Sequence, residues 1–92
     1  MSNKLYQAIL TLKTEKEVTA FLRDLLTLKE IHTISKRFQM AILLYQGLSY
    51  AKIAKQLKVS TTTVTRTAHW LKHGKGGYQT VLKRLKKHPL PE

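Results

Sequence analysis

The first proline of this 92-residue chain is Pro89, and ahead of it apolar residues recur at spacings of three and four almost without a break. That pattern predicts an all-α fold of about six helices in which no strand is needed. Leu5, Ile9 and Leu12 mark a first helix, opened by Ser2 or Asn3. Thr14-Glu15-Lys16-Glu17 is a capping box, in which the Thr oxygen accepts from the Glu17 backbone N–H while Glu17 reaches back, so a second helix starts there. Its inner face is Val18, Phe21, Leu22 and Leu25. Thr27-Leu28-Lys29-Glu30 repeats the box before a longer third helix with Leu28, Ile31, Ile34, Phe38, Ala41, Ile42 and Tyr45 in its stripe. Gly47 ends that helix at a left-handed cap.

Next comes a pair of short helices with a tight turn between them. Ser49 caps the first, from about Tyr50 to Leu57, which buries Ile53, Ala54 and Leu57. Lys58 and Val59 make the turn, and Ser60 caps the second, from about Thr61 to Lys72, with Val64 and Leu71 facing inward. Ala54 is small where the two helices cross and Val59 plugs the turn. Together these features read as a helix-turn-helix, although Lys58 occupies the turn position where Gly is usual, at a cost of about 1–2 kcal/mol. Ser60, Thr61, Thr62, Thr63, Thr65 and Arg66 stand near its leading end, as short polar side chains suited to a major groove.

Charge points to the same partner. From Ile31 to Pro91 there are twelve Lys or Arg and no Asp or Glu, whereas the first thirty residues hold five basic and four acidic side chains. The formal net charge of +12 is therefore a regional excess suited to a polyphosphate, and double-stranded DNA is the expected partner. Lys52, Lys55, Lys58, Lys72 and Lys75 are the candidate phosphate contacts, together with the helix N-terminus at Ser60. An enzyme is not expected. Glu15, Glu17 and Glu30 belong to first helical turns and Glu92 is the last residue, which leaves Asp24 without a second carboxylate for acid–base work.

Other features have plainer readings. His69 and His73 lie four apart on one helix face, but no third ligand of fitting type is near in sequence, so no metal is expected. Gly74-Lys75-Gly76-Gly77 lacks the P-loop spacing and reads as a hinge before a last basic helix from about Tyr78, with Tyr78, Val81, Leu82 and Leu85 inward. Tyr45, Tyr50, Trp70 and Tyr78 have helical spacing that suggests packing before base stacking. The tail Pro89-Leu90-Pro91 is expected to fray. No apolar run approaches a membrane span, the polar start lacks a secretory core, and cysteine is absent, which together read as cytoplasmic. A DNA-targeting module of a transposase or replication initiator, or a small basic RNA-binding protein, are the alternatives to a free-standing regulator.

Three segments carry a family likeness: Phe21-Leu22-Arg23-Asp24-Leu25-Leu26-Thr27, Ile34-Ser35-Lys36-Arg37 and Thr63-Val64-Thr65-Arg66. They resemble the tryptophan repressor superfamily, and Gly74 to Tyr78 is similar to its YerC/YecD-type members. The likeness is good from about Phe21 to Leu71 and loose at the ends. It implies an intertwined homodimer in which the N-terminal helices of both chains form one core. It places Ser60, Thr61, Thr62, Thr63 and Thr65 at the groove. Arg37 and Arg66 fall at the positions that hold the amino acid in tryptophan-responsive members, a possible effector pocket here. Thr67 stands where those members have Gly, and Trp70 where they have Ser, so bulk is expected to fill the pocket and no tryptophan corepressor is expected. Ala51 replaces a base-contacting Arg, so the operator does not carry over. The expected organisation is one domain over residues 1–92, with dimerisation helices in 1–47, the helix-turn-helix in 48–72, and the hinge, last helix and tail in 73–92. An undersized core fits a dimer independently, since a monomer of this size buries only about 60% of its unfolded surface.

Overall fold

A computed structural model describes residues 3–87, and among them it contains six α-helices and no strand: α1 (Lys4–Leu10), α2 (Glu15–Leu25), α3 (Leu28–Tyr45), α4 (Tyr50–Leu57), α5 (Thr61–His73) and α6 (Gly77–Lys87). The chain forms two compact units, one up to Ile34 and one from Ser35, and the division falls inside α3. Ser2, His88, Glu92 and the Pro89–Pro91 tail lie outside the described residues.

In the first unit the helix ends follow local side-chain chemistry closely. Asn3 caps α1, its Oδ1 accepting from Leu5 N at 2.8 Å. The Thr11 hydroxyl donates to the Ala8 carbonyl at 2.6 Å and closes the helix, so Leu12 lies beyond it. Thr14 Oγ1 accepts from Glu17 N at 3.1 Å, while the Glu17 carboxylate accepts from Lys13 N, one residue before the expected reciprocal partner. At α3 the box closes both ways: Glu30 N donates to Thr27 Oγ1 at 3.1 Å and Thr27 N to Glu30 Oε1 at 2.9 Å. Thr27, through its backbone N–H first and then its side chain, holds the Glu30 carboxyl below its ordinary value. The expected inner faces, however, are only partly covered: Phe21, Leu22 and Ile31 are half-buried. No described residue of this unit is buried, Val18, Leu25 and Ile34 are exposed, and Leu28 is 67% exposed. Short helices with one apolar stripe each have nothing within the unit large enough to cover them.

The second unit has a closed core. Met40, Ile53, Ala54 and Val64 form it, with Leu43, Leu44, Leu48, Leu57 and Val59 packed against it. Ile53 and Val64 are fully buried, each contributing about 1.5–3 kcal/mol relative to exposure. The second half of α3 therefore packs with α4 and α5 in the second unit. Ala41 is buried as expected, but the inward residues otherwise differ from the expected stripe: Met40 is buried, whereas Tyr45 is exposed. Met40 to Tyr45 is apolar on every side of the helix, so periodicity alone does not select a face. Gly47, at φ +91°, ends α3 in a Schellman turn, with Leu48 N donating to Leu43 O at 3.1 Å and Gly47 N to Leu44 O at 3.0 Å. In α6 Leu82 is buried and Tyr78 and Leu85 are half-buried, but Val81 is 43% exposed and does not face inward as expected.

Candidate nucleic-acid interface

The α4–α5 corner is built from its caps inward. Ser49 Oγ accepts from Lys52 N at 3.2 Å and starts α4. Lys58 takes the left-handed conformation, φ 57° and ψ 49°, and Val59 N reaches back to Ala54 O at 3.0 Å. The cost of a non-glycine residue there is about 1–2 kcal/mol, comparable to the burial of one of the two core side chains beneath it. Ser60 then caps α5, its Oγ accepting from Thr63 N at 3.1 Å. Val64, one turn into α5, fills the corner against Ile53 and Ala54 of α4. The motif thus orients α5 by four features: two serine caps, one left-handed residue and a pair of buried branched side chains.

The leading end of α5 presents its hydroxyls unequally. Thr61, Thr62 and Thr65 are exposed, whereas Thr63 is half-buried with its hydroxyl 2.9 Å from Ser60 Oγ. Thr63 is therefore a capping partner more than a free surface group. The Thr65 hydroxyl donates to the Thr61 carbonyl at 2.9 Å, a bond to its own helix. Lys52, Lys55, Lys58 and Arg66 are exposed, as are Lys72 in the last turn of α5 and Lys75 beyond it. No acid lies between Ile31 and Pro91 to pair with them.

The Gly-rich connection is short. Gly74 caps the end of α5, its N–H donating to Trp70 O at 2.9 Å. A Cβ at Gly74 would collide with that same carbonyl, which explains the glycine. Gly76 supplies a left-handed step at φ +85°, and the Gln79 amide donates to Leu71 O at 3.2 Å, holding the start of α6 to the end of α5. The expected hinge is a tight, hydrogen-bonded turn.

Comparison with known proteins agrees with this architecture. The family described as Trp repressor protein matches residues 2–86. The chain belongs to the Trp repressor family. It is 34% identical over 84 residues to the uncharacterized protein YerC of Bacillus subtilis, covering 91% of this chain and 81% of that one. A TrpR-like protein from Eubacterium eligens superposes with a TM-score of 0.84 at 37% identity, over 97% of this chain and 90% of the other. A candidate Trp repressor from Staphylococcus aureus gives 0.83 at 37%, over 90% and 83%. The Trp repressor family is one of non-enzymatic DNA-binding regulators, and no helix among the described residues is long and apolar enough to cross a membrane.

Within the Trp repressor fold the residues named for an effector pocket differ in exposure. Arg37 and Arg66 are both exposed. Thr67 is 5% exposed, with its hydroxyl 3.9 Å from Met40 Sδ, and so occupies the interior. Trp70 does not pack inward: it is 60% exposed and, with Phe38, Tyr78 and Val81, lines an open groove of about 470 Å³. Phe38 and Tyr78 stack at a centroid separation of 6.4 Å and an interplanar angle of 20°. Tyr45 and Tyr50 are also exposed, so packing accounts for Tyr78 alone among the four aromatics. A Trp at the last turn of a helix is apolar by type, and nothing in its spacing distinguishes a core position from the rim of a groove. His69 and His73 lie with ring centroids 5.2 Å apart, and among the described residues no group of three His, Asp or Glu gathers.

Proposed function

We propose that this chain is a sequence-specific transcription regulator that binds a pseudo-palindromic operator as a homodimer, each protomer setting α5 into one of two successive major grooves. Repression follows from occlusion of the promoter. The observation that carries this reading is the helix-turn-helix head, in which the leading end of α5 is polar and six exposed basic side chains are spread over α4, the turn, α5 and the residue after its cap, with no acid in the sequence neighbourhood. A duplex offers the matching geometry, one groove for α5 and phosphates on both sides for the lysines.

The homodimer rests on the first unit, which leaves Leu10, Leu28 and Ile34 in water. A second copy is the occupant that the intertwined Trp repressor architecture supplies. The open apolar groove of about 500 Å³ beside Ile42, Tyr45, Leu82 and Leu85 adds uncovered surface in the second unit. DNA binding is proposed to need no added tryptophan, because Thr67 fills interior space next to Arg66 and overpacking costs about 1–3 kcal/mol. Calorimetry is expected to show no tryptophan binding below millimolar concentration. Tryptophan binding coupled to tighter operator binding would restore a corepressor.

Selection of bound duplexes from a random pool tests the whole reading. An enriched inverted repeat, with half-sites about one helical turn apart, is the expected result. Enrichment of structured RNA alone, or of no sequence at all, would sink it.

A further inference from the structure

The first five residues of α5, Thr61-Thr62-Thr63-Val64-Thr65, include no Arg, Lys, Asn, Gln, Asp or Glu. The two-point hydrogen bonds by which Arg reads guanine, or Asn and Gln read adenine, are therefore unavailable within these five residues, and Arg66, the next residue on, is the first side chain of α5 able to make one. What remains within the five is short hydroxyls and methyls. Most of the hydroxyls are committed: Ser60 and Thr63 to each other and to the cap, Thr65 to the Thr61 carbonyl. Thr61 and Thr62 are exposed, and among the described residues their hydroxyls have no protein partner. Every exposed Thr nevertheless keeps its γ-methyl, and Ala51 adds an exposed methyl in the first turn of α4.

We propose that this surface is a thymine reader. The C5 methyl groups of thymine pack against the γ-methyls of Thr61, Thr62 and Thr65, the apolar contact that marks a T in the major groove. The free hydroxyls of Thr61 and Thr62 add single hydrogen bonds to neighbouring base edges. The operator half-site is accordingly thymine-containing under the leading turn, and its discrimination comes from methyl burial. This specificity rests on the operator-binding reading above and names the base chemistry that reading leaves open.

The test uses the full chain and the duplex enriched from the random pool, with each half-site thymine replaced by deoxyuridine, which removes only the C5 methyl. Dissociation constants are read by fluorescence anisotropy. We expect binding to weaken about threefold to fivefold for at least one thymine per half-site, the scale of one buried methyl group, with the salt dependence unchanged. Thr→Ser at 61, 62 or 65 keeps the hydroxyl and removes the methyl, and at the position concerned it should erase the difference between thymine and deoxyuridine. Thr62→Val keeps the methyl and should retain the difference wherever Thr62→Ser erases it. Equal affinity for the thymine and fully deoxyuridine duplexes, or a difference that survives all three Ser variants, overturns the thymine reading and leaves operator binding standing. Absence of any enriched duplex overturns both.

Discussion

The two units of this chain reach order by different routes. In the first, three helix starts are spelled out by side chains at Asn3, Thr14 and Thr27, yet no described residue is buried. In the second, Ser49 and Ser60 do the same capping, but Ile53 and Val64 lie at zero exposure beneath them. Capping decides where a helix begins and contributes about 1 kcal/mol; only burial of apolar area stabilises enough to offset chain entropy. The head achieves that burial within one chain. The N-terminal unit has the signals for helices without the surface to stabilise them, which is the observation behind the proposed homodimer.

The largest effect should come from breaking the head. Ile53→Ala removes a fully buried branched side chain and is expected to cost about 2–5 kcal/mol, measured by urea denaturation. Because the lost contacts lie within one chain, the loss should be the same at low and high protein concentration. A strongly concentration-dependent loss would mean that the head, too, is completed by its partner.

The converse change is Leu28→Asp in the first unit. Leu28 is already largely in water in one chain, so a monomer should tolerate the carboxylate, while an interface that buries it should not. Sedimentation equilibrium is expected to show a wild-type dimer at micromolar concentration and a shift toward monomer in the variant, by about tenfold or more in dimer dissociation constant, roughly 1.4 kcal/mol. A wild-type monomer that is fully folded would end the contrast between the units, and with it the homodimer.

How far the sequence was legible follows the same division. Helix positions were readable from caps and spacing because those signals are local: Thr27 with Glu30, Ser49, Ser60 and Gly47 all act where they were placed. The α4–α5 corner was readable for the same reason, including the strained Lys58, whose positive φ is the outcome expected of a turn lacking Gly. Burial was less legible wherever it depends on what lies opposite. Met40 was missed because Met40 to Tyr45 offers an apolar side in every direction, and Val81, Tyr45 and Trp70 were misplaced because apolar type and helical spacing do not say whether another element covers them. The hydrogen bonding at the leading end of α5 was also hidden. Five hydroxyl residues look alike in sequence, but only Thr61 and Thr62 are left with uncommitted hydroxyls.

That inequality makes the interface itself testable. Thr62→Ala should reduce preference for the enriched site by about 1–3 kcal/mol while leaving binding to random duplex nearly intact. Lys55→Ala, at a phosphate position, should weaken both alike and flatten the salt dependence. The slope of log K against log salt is about −0.9 per phosphate neutralised, and a dimer using several lysines per head should fall roughly between −5 and −9. Competition binding on specific and random duplexes at several salt concentrations checks this. Indistinguishable behaviour of the two variants would remove the groove-reading role from α5.

The smallest expected effect concerns the best-formed cap of the unit without a core. Glu30 is exposed, and its carboxylate accepts from Thr27 N while Thr27 Oγ1 accepts from Glu30 N. Hydrogen bonding of the carboxylate to Thr27, by the backbone N–H first and the side chain second, favours the ionised form and lowers its pKa. A carboxyl whose folded pKa is depressed adds stability that is fully present above its unfolded value and is lost as pH falls through the folded one. Stability at the start of α3 should therefore be level through neutral pH and decline on acidification below the ordinary carboxylate range. Glu30→Gln keeps an acceptor for Thr27 N but cannot titrate, so it should be slightly less stable than wild type at pH 7, with the gap closing in acid. The comparison is best read from thermal unfolding of both proteins in parallel from pH 7 down to about pH 3, at fixed protein concentration so that dimer formation does not move the midpoint. A gap that stays constant across this range would show that the charge of Glu30 contributes nothing, and that Thr27 alone starts the helix shared by both units.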